Sequence, residues 1–303
     1  MSALATTRIG LPTGVTLTVQ LGGPGDGEPI VFLHGFPESH RTWRRIAPDL
    51  ARDFRVIAPD QRGFAGSDKP EGVDAYRTER IVEDLVALAD SLELEAFTLV
   101  GHDWGGAVAW LAALRHPDRL ARLVIVNAPH PLVFQKSLVD DPAQRAASQY
   151  MNAFRNPAME HGIAAMGLES FFAKSFGAHV DLAAIPEEEK RAYLEDWGRP
   201  GALTAMLNWY RASEIVVPQV GDEAAAPAWT KAPFPGIAIP TLVIWGLRDK
   251  ALLPVQLDGL HALIDDLRLV TVADAGHFVP WEAPEPVIAA IRDFIAATPA
   301  GSD

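Results

Sequence analysis

The stretch Val100-Gly101-His102-Asp103-Trp104-Gly105-Gly106 constrains this chain more than any other. Ala96 to Val100 reads as a buried strand, and Gly105 to Arg115 reads as an apolar, alanine-rich helix. The residue between them is forced onto a tight bend, and the flanking glycines give the backbone room to make it. Hydrolases built on such a turn commonly place serine there, and this chain places Asp103. An aspartate also caps helices well, so the residue has to be weighed with the rest of the chain. As a nucleophile it points to attack on a saturated carbon. A serine oxygen attacking that carbon would leave an ether, which water does not cleave under mild conditions. A carboxylate leaves an ester, which water can cleave, and it is ionised at neutral pH without help from a base.

The organisation of the chain supports that bend. Short apolar runs at Val15–Leu21, Pro29–Leu33, Phe54–Ala58 and Leu120–Val126 alternate with helical spacing, as in Thr78–Leu92. That rhythm predicts a mostly parallel sheet with crossover helices. From about Pro129 to Ser213 only helical segments are found, and this region holds Tyr150, Tyr193 and Tyr210, three of the four tyrosines. Val217 to Pro240 is rich in proline and alanine and reads as a connector. Strand rhythm returns at Thr241–Trp245 and Leu267–Val272, and Pro284–Ala297 reads as a closing helix. The expected layout is a core of residues 1–128 and 235–303, interrupted by a helical lid with its connector at 129–234.

Two further chemical pieces stand just past strands: Trp245-Gly246-Leu247-Arg248-Asp249 and Ala275-Gly276-His277-Phe278. Sites in open parallel sheets form at the carboxyl ends of strands, so Asp103, Asp249 and His277 are expected to gather on one edge. Their chain order suits a nucleophile, an orienting acid and a histidine base. His277 would take a proton from water while Asp249 orients the imidazole and stabilises its charged form. Asn127, at the end of the preceding strand, stands where an orienting acid is also possible, but an amide supplies no charge. In Leu33-His34-Gly35-Phe36-Pro37, the Phe36 N–H is expected to join that of Trp104 in stabilising an oxyanion. His34 is expected to be a buried structural residue, and Pro37 is a candidate for a cis bond.

Composition narrows the alternatives. With no cysteine, disulfides, thiol catalysis and cysteine-bound metals are excluded. The 26 basic and 39 acidic residues give a net charge of −13, which disfavours nucleic acid and anionic membrane as partners. No histidine spacing suggests a metal site, and no phosphate-cradling or dinucleotide glycine loop is found. The expected cofactor list is empty. The start, Met1 to Ala5, has no basic residue and opens no sustained apolar run, and no run would span a bilayer. A cytoplasmic location, as a monomer or homodimer, is the default expectation.

With these residues in hand, the chain resembles the epoxide hydrolases of the α/β-hydrolase fold, whose mostly parallel sheet carries a helical lid, or cap. The resemblance rests on His34 to Ser39, Asp60-Gln61-Arg62-Gly63-Phe64-Ala65-Gly66-Ser67, Gly101 to Gly106, Leu207-Asn208-Trp209-Tyr210-Arg211 and Ala275 to His277. It implies a hydroxyalkyl ester on Asp103, a vicinal diol product, and two lid tyrosines that hydrogen-bond the epoxide oxygen. Tyr210 matches one by its Asn-Trp-Tyr-Arg setting. Tyr150 resembles the other, placed before Asn156-Pro157. Tyr193 is the fallback, in an acid-rich setting that suggests a surface helix. Phe36, Trp104, Phe154 and Trp209 are expected to touch substrate, and Phe134, Phe171, Phe172 and Trp197 add to an apolar lid. A haloalkane dehalogenase is the first alternative; it needs halide donors, and Phe36 stands where that family commonly has asparagine. A non-catalytic binding protein on the same fold is the second. A serine esterase is disfavoured by the missing Gly-x-Ser-x-Gly elbow.

Overall fold

The computed structural model describes residues 4–299. Eight strands form one sheet: β1 (Ala5–Gly10), β2 (Thr16–Gly22), β3 (Pro29–Leu33), β4 (Arg55–Pro59), β5 (Phe97–His102), β6 (Leu120–Val126), β7 (Thr241–Gly246) and β8 (Leu267–Val272). Their spatial order is β1-β2-β4-β3-β5-β6-β7-β8. β1 and β2 run antiparallel to their neighbours, and β3 to β8 are all parallel. This is the α/β-hydrolase fold. The parallel strands β5 and β7 are buried at every position, because helices cover both faces of the sheet. One face packs on the helices Thr78–Ser91 and Trp104–Arg115, the other on Ala47–Leu50 and Pro284–Ala297.

The first strand, β1, is absent from the sequence reading. Its residues Ala-Thr-Thr-Arg-Ile-Gly are exposed or half-exposed throughout, so no apolar alternation marks it. It exists because β2 offers it a ladder of backbone partners from Ala5↔Leu21 to Gly10↔Thr16.

Between β6 and β7 the chain leaves the sheet. Seven helices follow, from Pro131–Asp140 to Ala202–Ala212. The tyrosine-bearing ones are Gln149–Arg155, Glu187–Trp197 and Ala202–Ala212. The expected surface position of Tyr193 is corrected here. Its helix is acidic on the solvent side, but the Tyr193 ring is fully buried against Trp281 and Phe176. Phe172 and Trp197 pack into that same cluster. Among the described residues, no helix is long and apolar enough to cross a membrane.

The bend after β5 has a specific steric basis. Asp103 holds φ +52° and ψ −121°, a conformation that costs a non-glycine residue about 1–3 kcal/mol. The following helix approaches β3 so closely that a Cβ on Gly105 would overlap the carbonyl oxygens of Leu33 and His34. A Cβ on Gly35 would overlap the Asp103 side chain. Gly105→Ala is therefore expected to destabilise the protein by about 3 kcal/mol, read from urea unfolding. A variant as stable as the parent would show that this contact does not set the bend.

Candidate active site

Asp103, Asp249 and His277 stand at the carboxyl ends of β5 and β7 and beyond β8, where the parallel sheet opens. His277 Nδ1 lies 2.8 Å from Asp249 Oδ2, and Nε2 lies 3.5 Å from Asp103 Oδ2. The imidazole thus sits between two carboxylates. Asp249 is itself held: Oδ1 accepts from the N–H groups of Ala251 and Leu252, at 2.8 and 2.9 Å. Oδ2 accepts from Asn127 Nδ2 at 2.8 Å. Asn127 is therefore a support for the orienting acid, and its own Oδ1 accepts from the Gly246 N–H.

All three ionisable groups are deeply buried, and burial penalises every charge among them. Mutual attraction outweighs that penalty. Burial opposes protonation of His277, but Asp249 and Asp103 together hold its pKa well above the ordinary histidine value. Burial likewise works against ionised Asp103 and Asp249, yet each is held below the ordinary carboxylate value. His277 dominates that stabilisation in both cases, with the Phe36 N–H adding to it at Asp103 and Asn127 at Asp249. At neutral pH the site is an imidazolium between two carboxylates.

Phe36 N–H donates to Asp103 Oδ1 at 2.8 Å, across a loop whose Phe36–Pro37 bond is cis. The expected second donor, the Trp104 N–H, forms no hydrogen bond to this carboxylate. His34 is fully buried, as expected, and its Nε2 accepts from the Gln61 N–H at 3.0 Å. A buried layer behind the triad escaped the sequence reading. His102 Nε2 meets the His277 carbonyl oxygen at 2.8 Å; a carbonyl only accepts, so that nitrogen carries the hydrogen. His102 Nδ1 is 3.3 Å from Glu38 Oε2, and the Tyr193 hydroxyl donates to Glu38 Oε1 at 3.5 Å. Tyr193 thus belongs to this layer and does not face the nucleophile.

Asp103 opens into a cavity of about 380 Å³ with mostly apolar walls. Tyr150 and Tyr210 line the same cavity, their rings 6.1 Å apart and nearly perpendicular. Burial raises the pKa of both phenols, and the charge of Asp103 raises it further. Both therefore stay protonated and able to donate across the working range. Trp104 also lines the cavity, edge-on to Tyr210 at 5.1 Å. Of the other expected substrate contacts, Phe36 and Phe154 lie outside the lining of this cavity and pack against Tyr210, each 5.0 Å from its ring. Trp209 turns to the core, donating to the Arg62 carbonyl at 3.0 Å and packing on Phe64. A helical residue one step from Tyr210 points about 100° away from it, and here that step takes Trp209 to the core side. Phe134, Trp229 and Phe234 form the walls instead. The last two lie in the proline-rich connector, where no periodicity could flag them.

The chain matches the model of the α/β-hydrolase fold family over residues 28–284. It is 36% identical to the AB hydrolase superfamily protein YfhM of Bacillus subtilis, covering 93% of this chain and 95% of that protein. It is 32% identical to epoxide hydrolase A of Mycobacterium tuberculosis, covering 96% and 97%. A solved structure from a study of novel epoxide hydrolases in metagenomes of hot environments superposes with a TM-score of 0.90. The two share 47% identity over 97% of this chain and 99% of that one. The epoxide hydrolase of Bacillus megaterium superposes at 0.79 with 27% identity, covering 96% and 100%. The chain belongs to the α/β-hydrolase fold family, in its epoxide hydrolase branch. It is an enzyme of the hydrolase class.

The paired carboxylates set a pH dependence with a definite sign. The raised His277 pKa contributes stability that is complete below about pH 6.5 and lost as pH rises through the higher native value. The lowered Asp103 and Asp249 values contribute stability present above about pH 3.9 and lost as pH falls through the native values. In Asp103→Asn one of the two anions is gone, so His277 is expected to release its proton at lower pH than in the parent. NMR titration of the His277 ring protons measures this, and an unchanged titration would exclude Asp103 as a cause of the shift.

Proposed function

We propose that this enzyme hydrolyses epoxides to vicinal diols through a covalent ester on Asp103, without a cofactor. One observation carries this reading: two protonated phenols and an ionised carboxylate line a single apolar cavity. Opening an epoxide needs a nucleophile on carbon and a proton source for the departing oxygen, and this wall supplies both. In this reading residues 1–128 and 235–303 form the catalytic core, and 129–234 form the cap that brings the phenols to it. The substrate is a small epoxide with an apolar body, taken up where the cap meets the core.

In the first step a carboxylate oxygen of Asp103 bonds to an epoxide carbon and the ring carbon–oxygen bond breaks. Tyr150 and Tyr210 hydrogen-bond the ring oxygen, and one of them gives it a proton as the alkoxide forms. Alkylation removes the charge of Asp103. His277 then has one carboxylate beside it where it had two, so its pKa falls; its proton leaves through solvent and restores the phenolate to a phenol, and the neutral imidazole becomes available as a base. It accepts a proton from water, and that water's oxygen attacks the ester carbonyl carbon. The oxyanion develops on the oxygen already held by the Phe36 N–H. Collapse of this intermediate breaks the bond between the carbonyl carbon and the ester oxygen that Asp103 had contributed, and the intermediate's hydroxyl proton passes to that departing oxygen. This releases the diol and leaves one oxygen from water in the Asp103 carboxylate. His277 keeps the proton it took from water and again lies between two carboxylates.

Incubating His277→Gln with styrene oxide is expected to accumulate a protein adduct heavier by the mass of the epoxide, located on Asp103 by peptide mass spectrometry. Absence of any adduct, with the variant folded, would sink the ester route. Tyr150→Phe and Tyr210→Phe are each expected to slow ring opening by about tenfold or more in single turnover. Should both keep the parental rate, the phenols are not the proton source.

A further inference from the structure

Arg211 closes the Asn-Trp-Tyr-Arg motif, and the mechanism above gives it no task. The helix carrying Tyr150 (Gln149–Arg155) and the helix carrying Tyr210 (Ala202–Ala212) end side by side. Helix carboxyl termini leave carbonyls unpaired and carry partial negative charge, so two such ends in contact repel each other. The structure answers this with two arginines that cross. Arg155, the last residue of the first helix, donates from Nε to the Tyr210 carbonyl at 3.0 Å. Arg211 donates from Nη2 to the carbonyl of Asn156, the residue that ends the Tyr150 helix, at 3.1 Å. Each guanidinium therefore caps the end of the other's helix.

The two arginines are not equivalent. Arg211 also makes a two-pronged ion pair with Glu160, at 2.6 and 2.7 Å. Arg155 has no carboxylate partner among the described residues. Its remaining hydrogen bonds go to the backbone of the segment that leaves the Tyr210 helix, at Ile215 (2.7 Å) and Ser213 (3.5 Å). Asn152, one turn back on the same helix face, adds a bond to the Val217 carbonyl at 3.1 Å. A half-buried charge spent on neutral carbonyls is an expensive way to gain stability alone. It does fix one helix end against the other.

We propose that Arg155 and Arg211 form a reciprocal clamp that sets the spacing and angle of Tyr150 and Tyr210, with Arg155 as the positioning residue for ring opening. The inference rests on the phenols acting as proposed above. The clamp acts through the hydroxyls alone: it holds both within reach of one epoxide oxygen and takes no part in ester hydrolysis, which His277 and Asp249 control on the opposite wall.

The test is single-turnover rapid quench with styrene oxide, which resolves ester formation from ester hydrolysis. Arg155→Met is expected to slow ester formation by about tenfold and to leave ester hydrolysis within about twofold of the parent. Arg155→Lys keeps the charge and reaches fewer carbonyls, so it is expected to fall between the two and guards against a folding failure. Arg145→Met is the control. Arg145 also serves cap carbonyls, those of Leu138 and Asp222, but bridges neither phenol helix end to the other. It is expected to leave both steps within about twofold. In a Tyr210→Phe background the Arg155→Met effect on ester formation is expected to shrink below about twofold, since with one hydroxyl gone there is no pair left for the clamp to space. Equal slowing of both steps, or an undiminished effect in that background, overturns the clamp while the proposed reaction stands. Lack of an ester in the parent overturns the reaction and the clamp with it, and a Tyr210→Phe variant as fast as the parent overturns the clamp.

Discussion

The whole site descends from one bend. Asp103 occupies a backbone conformation with φ +52°, unfavourable for any residue with a side chain, and it stays there because its surroundings leave no other course. β5 is buried along its length, the helix after it must lie back against the sheet, and Gly105 lets that helix approach the β3 carbonyls directly. The bend lifts one carboxylate clear of the sheet edge. The same edge brings the Phe36 N–H onto Oδ1 and His277 opposite Oδ2. Local strain is thus exchanged for a carboxylate whose position is set by backbone packing and not by its own rotamer.

Around that carboxylate the protein assembles charges that stabilise one another only as a set. Burial disfavours each of Asp103, Asp249 and His277 in its charged form, yet together they hold an imidazolium between two carboxylates. Such a set is sensitive to the loss of any member, because the remaining charge keeps its desolvation cost without its partner. Covalent chemistry on Asp103 would neutralise one member, which converts the histidine from a charged spectator into a base. The apolar cavity makes this effect large, since walls such as Leu111, Phe134 and Trp229 screen charge far less than water does.

Much of this was legible beforehand, for identifiable reasons. β5, the bend and the following helix have strong local signals, because buried parallel strands are short apolar runs and tight turns are bracketed by glycine. The triad was readable because each member follows such a strand. The polar edge strand β1 was not, since pairing with β2 and not burial creates it. Tyr193 was misplaced for the converse reason: its helix has an acidic outer side, and the sequence does not reveal how much of a short helix turns inward. Trp209 was expected at the cavity, but its indole N–H is drawn to the Arg62 carbonyl and its ring to Phe64, partners far away in the chain. Trp229 and Phe234 went unnoticed because they sit in an irregular segment without any period.

By itself, then, the amino-acid sequence determined the sheet order's local ingredients and marked Asp103, Asp249 and His277 as residues that share one sheet edge. These depend on contacts close in the chain or on the common rule that strand ends share an edge. Only the tertiary structure decided which tyrosines meet the nucleophile, which aromatic residues wall the cavity and how Glu38 and His102 back the triad. It alone revealed the crossed arginines at the two helix ends. Those arrangements join residues 55 to 175 positions apart, and at such separations no local pattern records which side of an element will face the site.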